Sequence, residues 1–315
     1  MLGIGNAIVD VLSYVSEDFI AKNGINKGTM SLIDEKRAAE IYGLIGQATE
    51  VSGGCAGNTV AAISSLGGKS AYIGRIKDDA LGKIFAHDLK GTGVFFDPKF
   101  AKDGLSTASS YVLVTPDAER SMLTYLGACT ELDETYIDEA LVRDSKVTYI
   151  EGYLYYQEKA KAAIRKAFAA ANETSFTLSD PFCVENNREE FKALARDIDI
   201  LFCNEPEALS LYQTQDIKDA VANFAKLGNI TVITRGSKGA LVVNGDFVGE
   251  VEGEKVTNVT DTTGAGDLFA AGFLYGYTQG KNLAECARLG NQSAAQIIQQ
   301  LGARPLKPLR DSIAA

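Results

Sequence analysis

Strand-like and helix-like segments alternate along almost the whole of this 315-residue chain, and that alternation constrains the fold more than any other feature. Apolar runs at residues 2–9, 70–73, 147–150, 176–178, 200–202, 231–234 and 240–243 are mostly separated by helix-length segments such as 159–171 and 216–227. Parallel neighbours need a long crossover, so this order predicts a doubly wound, mainly parallel sheet with helices on both faces. With 46% hydrophobic residues, the chain has enough apolar material for one large core and is expected to form one domain. Residues 11–34 and 94–127 break the pattern, alternating apolar and polar residues between turn signals as half-exposed antiparallel strands do. They are expected to form one small inserted β lid over the ends of the sheet strands.

A net charge of −10 and the absence of any clustered basic stretch argue against a nucleic-acid partner. An anionic ligand would have to be held by local groups. Cys55, Cys129, Cys183, Cys203 and Cys286 are odd in number and show no CxxC spacing, so neither a disulfide framework nor a zinc site is expected and a cytoplasmic location fits. No apolar run reaches membrane-spanning length and no basic flank precedes a hydrophobic stretch, so neither an anchor nor a secretory signal is expected.

The segment DTTGAGDLFAAGFLYGYTQG, residues 261–280, carries the strongest chemical signal. KVTNVT before it (255–260) is strand-like and DLFAAGFLYGY after it is helical, so 262–266 are expected to turn from strand into helix. Gly264 and Gly266 permit backbone conformations that let successive amides converge on one anion beside a helix N-terminus. Asp267 then sits in the first helical turn. An aspartate there is commonly a partner for the helix dipole. Beside an anion cradle it also has what phosphoryl transfer to an alcohol requires, an acceptor for the hydroxyl proton.

DTTGAGD resembles the C-terminal signature of the PfkB/ribokinase family of small-molecule kinases. SGGCAGNTVAAISSLGG, residues 52–68, resembles its N-terminal glycine-rich signature, and the likeness in element order covers essentially the whole chain. The resemblance implies a ribokinase-like fold with a β lid, ATP and Mg2+ as cofactors and a small alcohol as substrate, in a monomer or homodimer. It makes Asp267 the catalytic base and Gly264, Ala265 and Gly266 the anion hole. Arg120, on a lid strand, would fold over the transferring phosphate. Gly53, Gly54 and Asn58 would bind substrate with Asp10, at the end of the first strand. Asn204 and Glu207 of NEPE match the family motif that organises magnesium, through water, and phosphates; alone, this stretch reads as an ordinary helix start.

Thr234, Gly236, Lys238 and Gly239 of TRGSKGA resemble the nucleotide-binding turn, where a hairpin would otherwise be read. Asn291 matches a position lining the adenine pocket. Asp261 and Thr263 match a site for a monovalent cation, potassium. GIGNAIVDV, with Asn6 ahead of Asp10, and YIEGYLY, LSDPF and LFCNEPEA are more similar to adenosine kinases than to the sugar kinases of the family. That likeness implies the ribose 5'-hydroxyl of adenosine as acceptor, with Tyr153, Tyr155 and Phe182 as candidates for a base slot; a ribose, fructose or ketodeoxygluconate type of substrate is the alternative. A dinucleotide-dependent oxidoreductase lacks its GxGxxG and a P-loop kinase its GxxxxGK[ST]. A non-catalytic nucleotide binder would have no need of Asp267. His87 is the single histidine, which leaves no partner for a histidine-based triad or metal site.

Overall fold

The computed structural model describes residues 1–313. In chain order its strands are β1 (Leu2–Ile4), β2 (Ile8–Tyr14), β3 (Met30–Leu32), β4 (Ala48–Ser52), β5 (Ala71–Ile73), β6 (Ala108–Val114), β7 (Arg120–Tyr125), β8 (Thr148–Glu151), β9 (Thr174–Thr177), β10 (Ile200–Asn204), β11 (Ile230–Thr234), β12 (Ala240–Asn244) and β13 (Phe247–Val251). The helices are α1 (Glu17–Lys22), α2 (Glu35–Leu44), α3 (Cys55–Ser65), α4 (Ala80–Gly91), α5 (Glu139–Arg143), α6 (Glu158–Ala170), α7 (Pro181–Asp197), α8 (Glu205–Tyr212), α9 (Ile217–Ala225), α10 (Ala265–Thr278) and α11 (Leu283–Ile297). Eight strands form the main sheet in the order β13-β12-β11-β10-β9-β8-β1-β5. All pairs from β11 to β5 are parallel, and two antiparallel pairs finish the other edge.

Helices cover both faces of this sheet, as the alternating sequence pattern requires. One apolar layer joins Val60 and Ile63 of α3, Phe85 and Leu89 of α4, and Leu268, Phe269 and Phe273 of α10 to the sheet. The other packs Ile164 of α6, Phe191 of α7, Leu211 of α8 and Phe224 of α9 on the opposite face. The doubly wound architecture is thus as the sequence predicts.

A second sheet, ordered β3-β7-β6-β2-β4, stands beside the first. Its boundaries differ from expectation in two respects. β4 joins it from outside 11–34, and residues 94–107 add no strand to it. Instead Phe95 bridges Ala71 and Ala101 bridges Lys77, so that stretch follows the edge of the main body. One face of the second sheet, with Val9, Val11, Leu113, Leu123 and Tyr125, packs on Ala38 and Ile41 of α2. The other face carries Ile8, Asp10, Leu12, Val112, Met122 and Arg120, as the strand registers and two-residue alternation dictate.

The apolar run at residues 2–9 is also two strands rather than one. β1 ends at Ile4, and after Gly5, Asn6 and Ala7 the chain resumes as β2 in the other sheet. The break is fixed by Glu151, which ends β8 and accepts from the Asn6 amide at 3.0 Å and the Ala56 amide at 2.8 Å. Gly5 makes this approach possible, because a Cβ there would lie 2.3 Å from Glu151 Oε2 and 2.7 Å from Ala56 Cβ. Residues 255–260 form no strand; Thr260 and Asp261 instead donate backbone bonds to the Ile298 carbonyl at the end of α11.

Gly5→Ala is expected to destabilise the fold by about 1–3 kcal/mol, the scale of overpacking against neighbours that cannot yield. Urea unfolding measures it. A midpoint equal to wild type would show that the joint is loosely packed.

Candidate active site

The candidate residues converge at the carboxyl ends of the parallel strands, where the two sheets meet and where open α/β sheets place their ligands. Gly264 is the N-cap of α10 in the left-handed conformation (φ 77°), with its Cα facing Ala303 too closely to admit a Cβ. The Ala265 amide is used within the turn, donating to the Thr262 carbonyl at 3.1 Å. The amides of Gly266 and Asp267 have no acceptor among the described residues, and the space beside Gly266 is open. The cradle as it stands therefore offers the Gly266 and Asp267 amides rather than that of Ala265.

Asp267 is half-buried on the first turn of α10 and accepts from Asn58 Nδ2 of α3 at 2.9 Å. Burial pushes its carboxyl up to about 6, against the pull of Asn58, the Cys55 thiol and the Arg304 guanidinium. Asp10 faces it from the third position of β2, within the second sheet rather than at the end of the first strand. Burial lifts Asp10 to about 7, with Arg304 opposing and Asp267 adding. No donor among the described residues hydrogen-bonds its carboxylate. The oxygens lie so close over Gly53 that a Cβ there would meet Oδ2 at 2.3 Å, and Gly54 (φ 81°) opens α3. An acceptor left without donors, on a turn that excludes side chains, suits a ligand with hydroxyl groups. Asn6 sits at the strand break with its amide on Glu151.

Arg120 reaches from β7 to the DTTGAGD turn, where its Nη1 lies 2.5 Å from Asp261 Oδ2 and 2.9 Å from Thr263 Oγ1. Its Nη2 is buried without a partner. Asp261 also accepts from the Thr263 amide at 2.9 Å and the Gly302 amide at 2.7 Å. Burial alone would raise Asp261, but these donors and the guanidinium outweigh it and hold the carboxyl below its usual range. The expected potassium ligands therefore do not fit a bare cation: their side-chain oxygens already hold a cationic group of the protein.

On the far side of the site, Asn204 and Glu207 form a reciprocal cap at the start of α8. Asn204 Oδ1 takes the Glu207 amide at 2.8 Å, while Glu207 takes the Asn204 amide at 3.0 Å and its Nδ2 at 2.6 Å. Helix capping and clustering at the site thus coexist. Glu207 is 3% exposed, and burial, with Asp180 adding, pushes it up to about 7. No cationic side chain faces it among the described residues. Thr234, Gly236, Lys238 and Gly239 lie on the β11–β12 hairpin, whose register pairs Thr234 with Ala240. Asn291 of α11 is buried and donates to the Glu252 carbonyl at 2.9 Å, tying α11 to the segment after β13.

Tyr153 is half-buried beside Asp180 and Cys55, and burial raises its hydroxyl. Of the other two expected ring contributors, Tyr155 lies in the core and Phe182 is exposed. Tyr155 packs edge-on against Phe176 and Phe191, 5.6 and 5.1 Å between ring centres, in the core behind the sheet. Phe182 is 63% exposed beside Tyr156. The Tyr155 error follows from sequence neighbourhood: a 3-10 turn at 152–156 sends adjacent rings in different directions.

Two residues that brace the site were not singled out from the sequence. Glu151, 1% exposed, is a carboxylate at the end of an apolar strand, a readable signal of a special site; burial pushes it up to about 7, against the amides of Ala56 and Asn6. Arg304, in GARPLKPL, gives no such signal.

A ribokinase-like sheet, a second sheet facing its strand ends, and an amide cradle with an adjacent carboxylate define an ATP-dependent phosphotransferase that acts on an alcohol. Residues 20–310 match the model of the pfkB family of carbohydrate kinases, and the chain belongs to that family. It is similar to the crystal structure of adenosine kinase from Sinorhizobium meliloti, at 47% identity and a TM-score of 0.91 over 99% of this chain and 97% of that one. A probable sugar kinase protein from Rhizobium etli CFN 42 is also 47% identical, with a TM-score of 0.89 over 99% and 96% of the two chains. Adenosine kinase 1 of Arabidopsis thaliana is 28% identical over 98% of this chain and 96% of its own.

Four carboxyls of the site are raised, Asp10, Glu151 and Glu207 to about 7 and Asp267 to about 6. Because they hold protons more tightly folded than unfolded, the stability they supply is complete below the unfolded carboxyl range, near 4, and is lost as pH rises through 6 to 7. The ligand-free protein is expected to melt roughly a few degrees higher at pH 5.5 than at pH 8. Scanning calorimetry at the two values checks the sign, and a higher midpoint at pH 8 would contradict these carboxyl environments.

Proposed function

We propose that this kinase phosphorylates the ribose 5'-hydroxyl of adenosine, using ATP and Mg2+, with the second sheet acting as the lid. The comparisons include both an adenosine kinase and a probable sugar kinase at the same identity, so the choice rests on the face of the second sheet that looks into the site. Around the unpaired carboxylate of Asp10, that face offers Ile8, Leu12, Val112 and Met122, all half-exposed. The hydroxyls of Ser110 and Thr124 on the same face satisfy each other at 2.9 Å. A free sugar pressed against it would bury hydroxyls without partners, at a cost of about 1–3 kcal/mol each. A nucleoside offers two ribose hydroxyls to Asp10 and the flat face of its aromatic base to the rest.

In this reading Asp10, with Gly53 and Gly54, orients the ribose so that its terminal hydroxyl reaches Asp267. Asn58 keeps that carboxylate turned inward. Asp267 accepts the proton as the bond to phosphorus forms, the Gly266 and Asp267 amides take up charge developing on the transferred group, and Arg120 closes the site from above. The nucleotide would lie along the β11–β12 hairpin, at Thr234, Gly236, Lys238 and Gly239, with Asn291 beside it. Glu207 and Asn204, with Asp180 near, form a negative, cation-free corner that fits a hydrated Mg2+. When bound, ATP and Mg2+ supply the phosphoryl group and the neutralisation of its charge.

A screen of ATP-dependent ADP release against adenosine, inosine, ribose, fructose and ketodeoxygluconate tests the substrate. Adenosine is expected to give the highest kcat/KM; a free sugar exceeding it would transfer the reading to the sugar kinases of the family.

Asp267→Asn keeps the size of the side chain but removes the proton acceptor. The variant is expected to lose at least ~10²-fold in kcat, the usual scale for a positioned base, while calorimetric titration gives near-wild-type affinities for ATP and adenosine. Turnover close to wild type would reduce Asp267 to a helix-terminal carboxylate.

A further inference from the structure

We infer that Arg304 is a positioning residue for the phosphotransfer, holding the glycine-rich turn in place and supplying the positive charge that both Asp10 and Asp267 face. The geometry begins at Ser52, the last residue of β4 and the entry to Gly53 and Gly54. Arg304 Nε donates to the Ser52 carbonyl at 2.8 Å and Nη2 to Ser52 Oγ at 3.0 Å. Nη1 donates to the Gly57 carbonyl, in the first turn of α3, at 2.7 Å. One half-buried guanidinium thus grips both ends of the turn whose middle presses on Asp10 and whose Asn58 holds Asp267. The grip is braced from behind, because Asp88 of α4 accepts from the Ser52 amide at 2.8 Å and from Ser52 Oγ at 2.5 Å.

A lysine could not make this grip, since three donors must diverge in one plane toward two carbonyls and a hydroxyl. The electrostatic part follows from what surrounds the two aspartates. Asp10 faces Arg304 and Asp267, while Asp267 faces Asn58, Cys55 and Arg304. Cys55 also faces Asp10, Glu151 and Tyr149 of β8 face Asp267, and Tyr72 of β5 faces Arg304 itself; none of these is cationic. Arg304 is therefore the cation that opposes burial at both carboxyls, and it draws on Asp88, Asp10, Tyr72 and Asp267 in turn. Removing its charge should leave both aspartates protonated to higher pH, where neither can do its work.

The inference rests on the roles given to Asp10 and Asp267 above. Its test compares Arg304→Gln, Arg304→Lys and Asp267→Asn with wild type, measuring ADP release with adenosine, or with the alcohol the screen selects, between pH 5 and 9. Arg304→Gln is expected to move the acid limb of kcat/KM upward by about one pH unit or more, the effect of losing a nearby opposite charge. Arg304→Lys, with the charge but not the fork, is expected to keep the wild-type limb while losing on the order of 10-fold in kcat/KM through misplacement of the turn. An acid limb unmoved in Arg304→Gln overturns the inference, whatever the turnover. If Arg304→Gln does not fold, Arg304→Lys decides, and wild-type kinetics in that variant overturns it. Full turnover in Asp267→Asn would instead sink the assignment of the base, a failure distinguishable from a failure of Arg304.

Discussion

The bond between the Asn6 amide and the Glu151 carboxylate sets the geometry on which the rest of the site depends. It ends β1 and sends the chain into the second sheet. The second oxygen takes the Ala56 amide at the start of α3, so one side chain joins the main sheet, the departing strand and the helix of the glycine-rich turn. A carboxylate is well suited to this joint: it accepts from two amides at once, and one of them belongs to a helix N-terminus, which favours negative charge. Aspartate 10 and the glycines opposite it inherit their positions from that junction.

Holding several acids in one poorly solvated place costs stability, because burial penalises each charged form. Most of the compensation comes from neutral donors: two amides for Glu151, the Asn204 pair for Glu207, and Asn58 for Asp267. Asp10 has none. The least satisfied carboxylate is thus the one to which the proposed function gives the substrate, and the fold keeps an acceptor unspent there.

Much of this was legible in the chain. The alternation of apolar runs and helical segments gave the doubly wound sheet because its period is local, and DTTGAGD marked the anion cradle because such turns admit few side chains. Legibility failed where distant segments decide. Nothing in residues 2–9 says that a strand will break at Gly5; the cause is a carboxylate at 151. Residues 255–260 have strand composition, yet they form no strand, and at their end the carbonyl of Ile298 takes the amides of Thr260 and Asp261. Tyr155 was drawn toward the site by proximity in sequence to Tyr153, and the turn at 152–156 sends it into the core. Arg304 was invisible because its partners, Ser52 and Gly57, lie 252 and 247 positions away.

Those separations bear on how the protein comes into being. Asn58 meets Asp267 across 209 positions, and the guanidinium that grips the glycine-rich turn arrives later still. During synthesis both sheets and the helices before α10 can assemble before α10 and the segment that follows it are available. The nascent chain therefore carries a gap where Asp267 and Arg304 will sit, with apolar surface on α3 awaiting α10. Loop closure over such distances is slow, and intermediates of this kind are the ones that aggregate. Termination just before the final helix pair would yield a chain with every strand of both sheets but without Asp267 and Arg304.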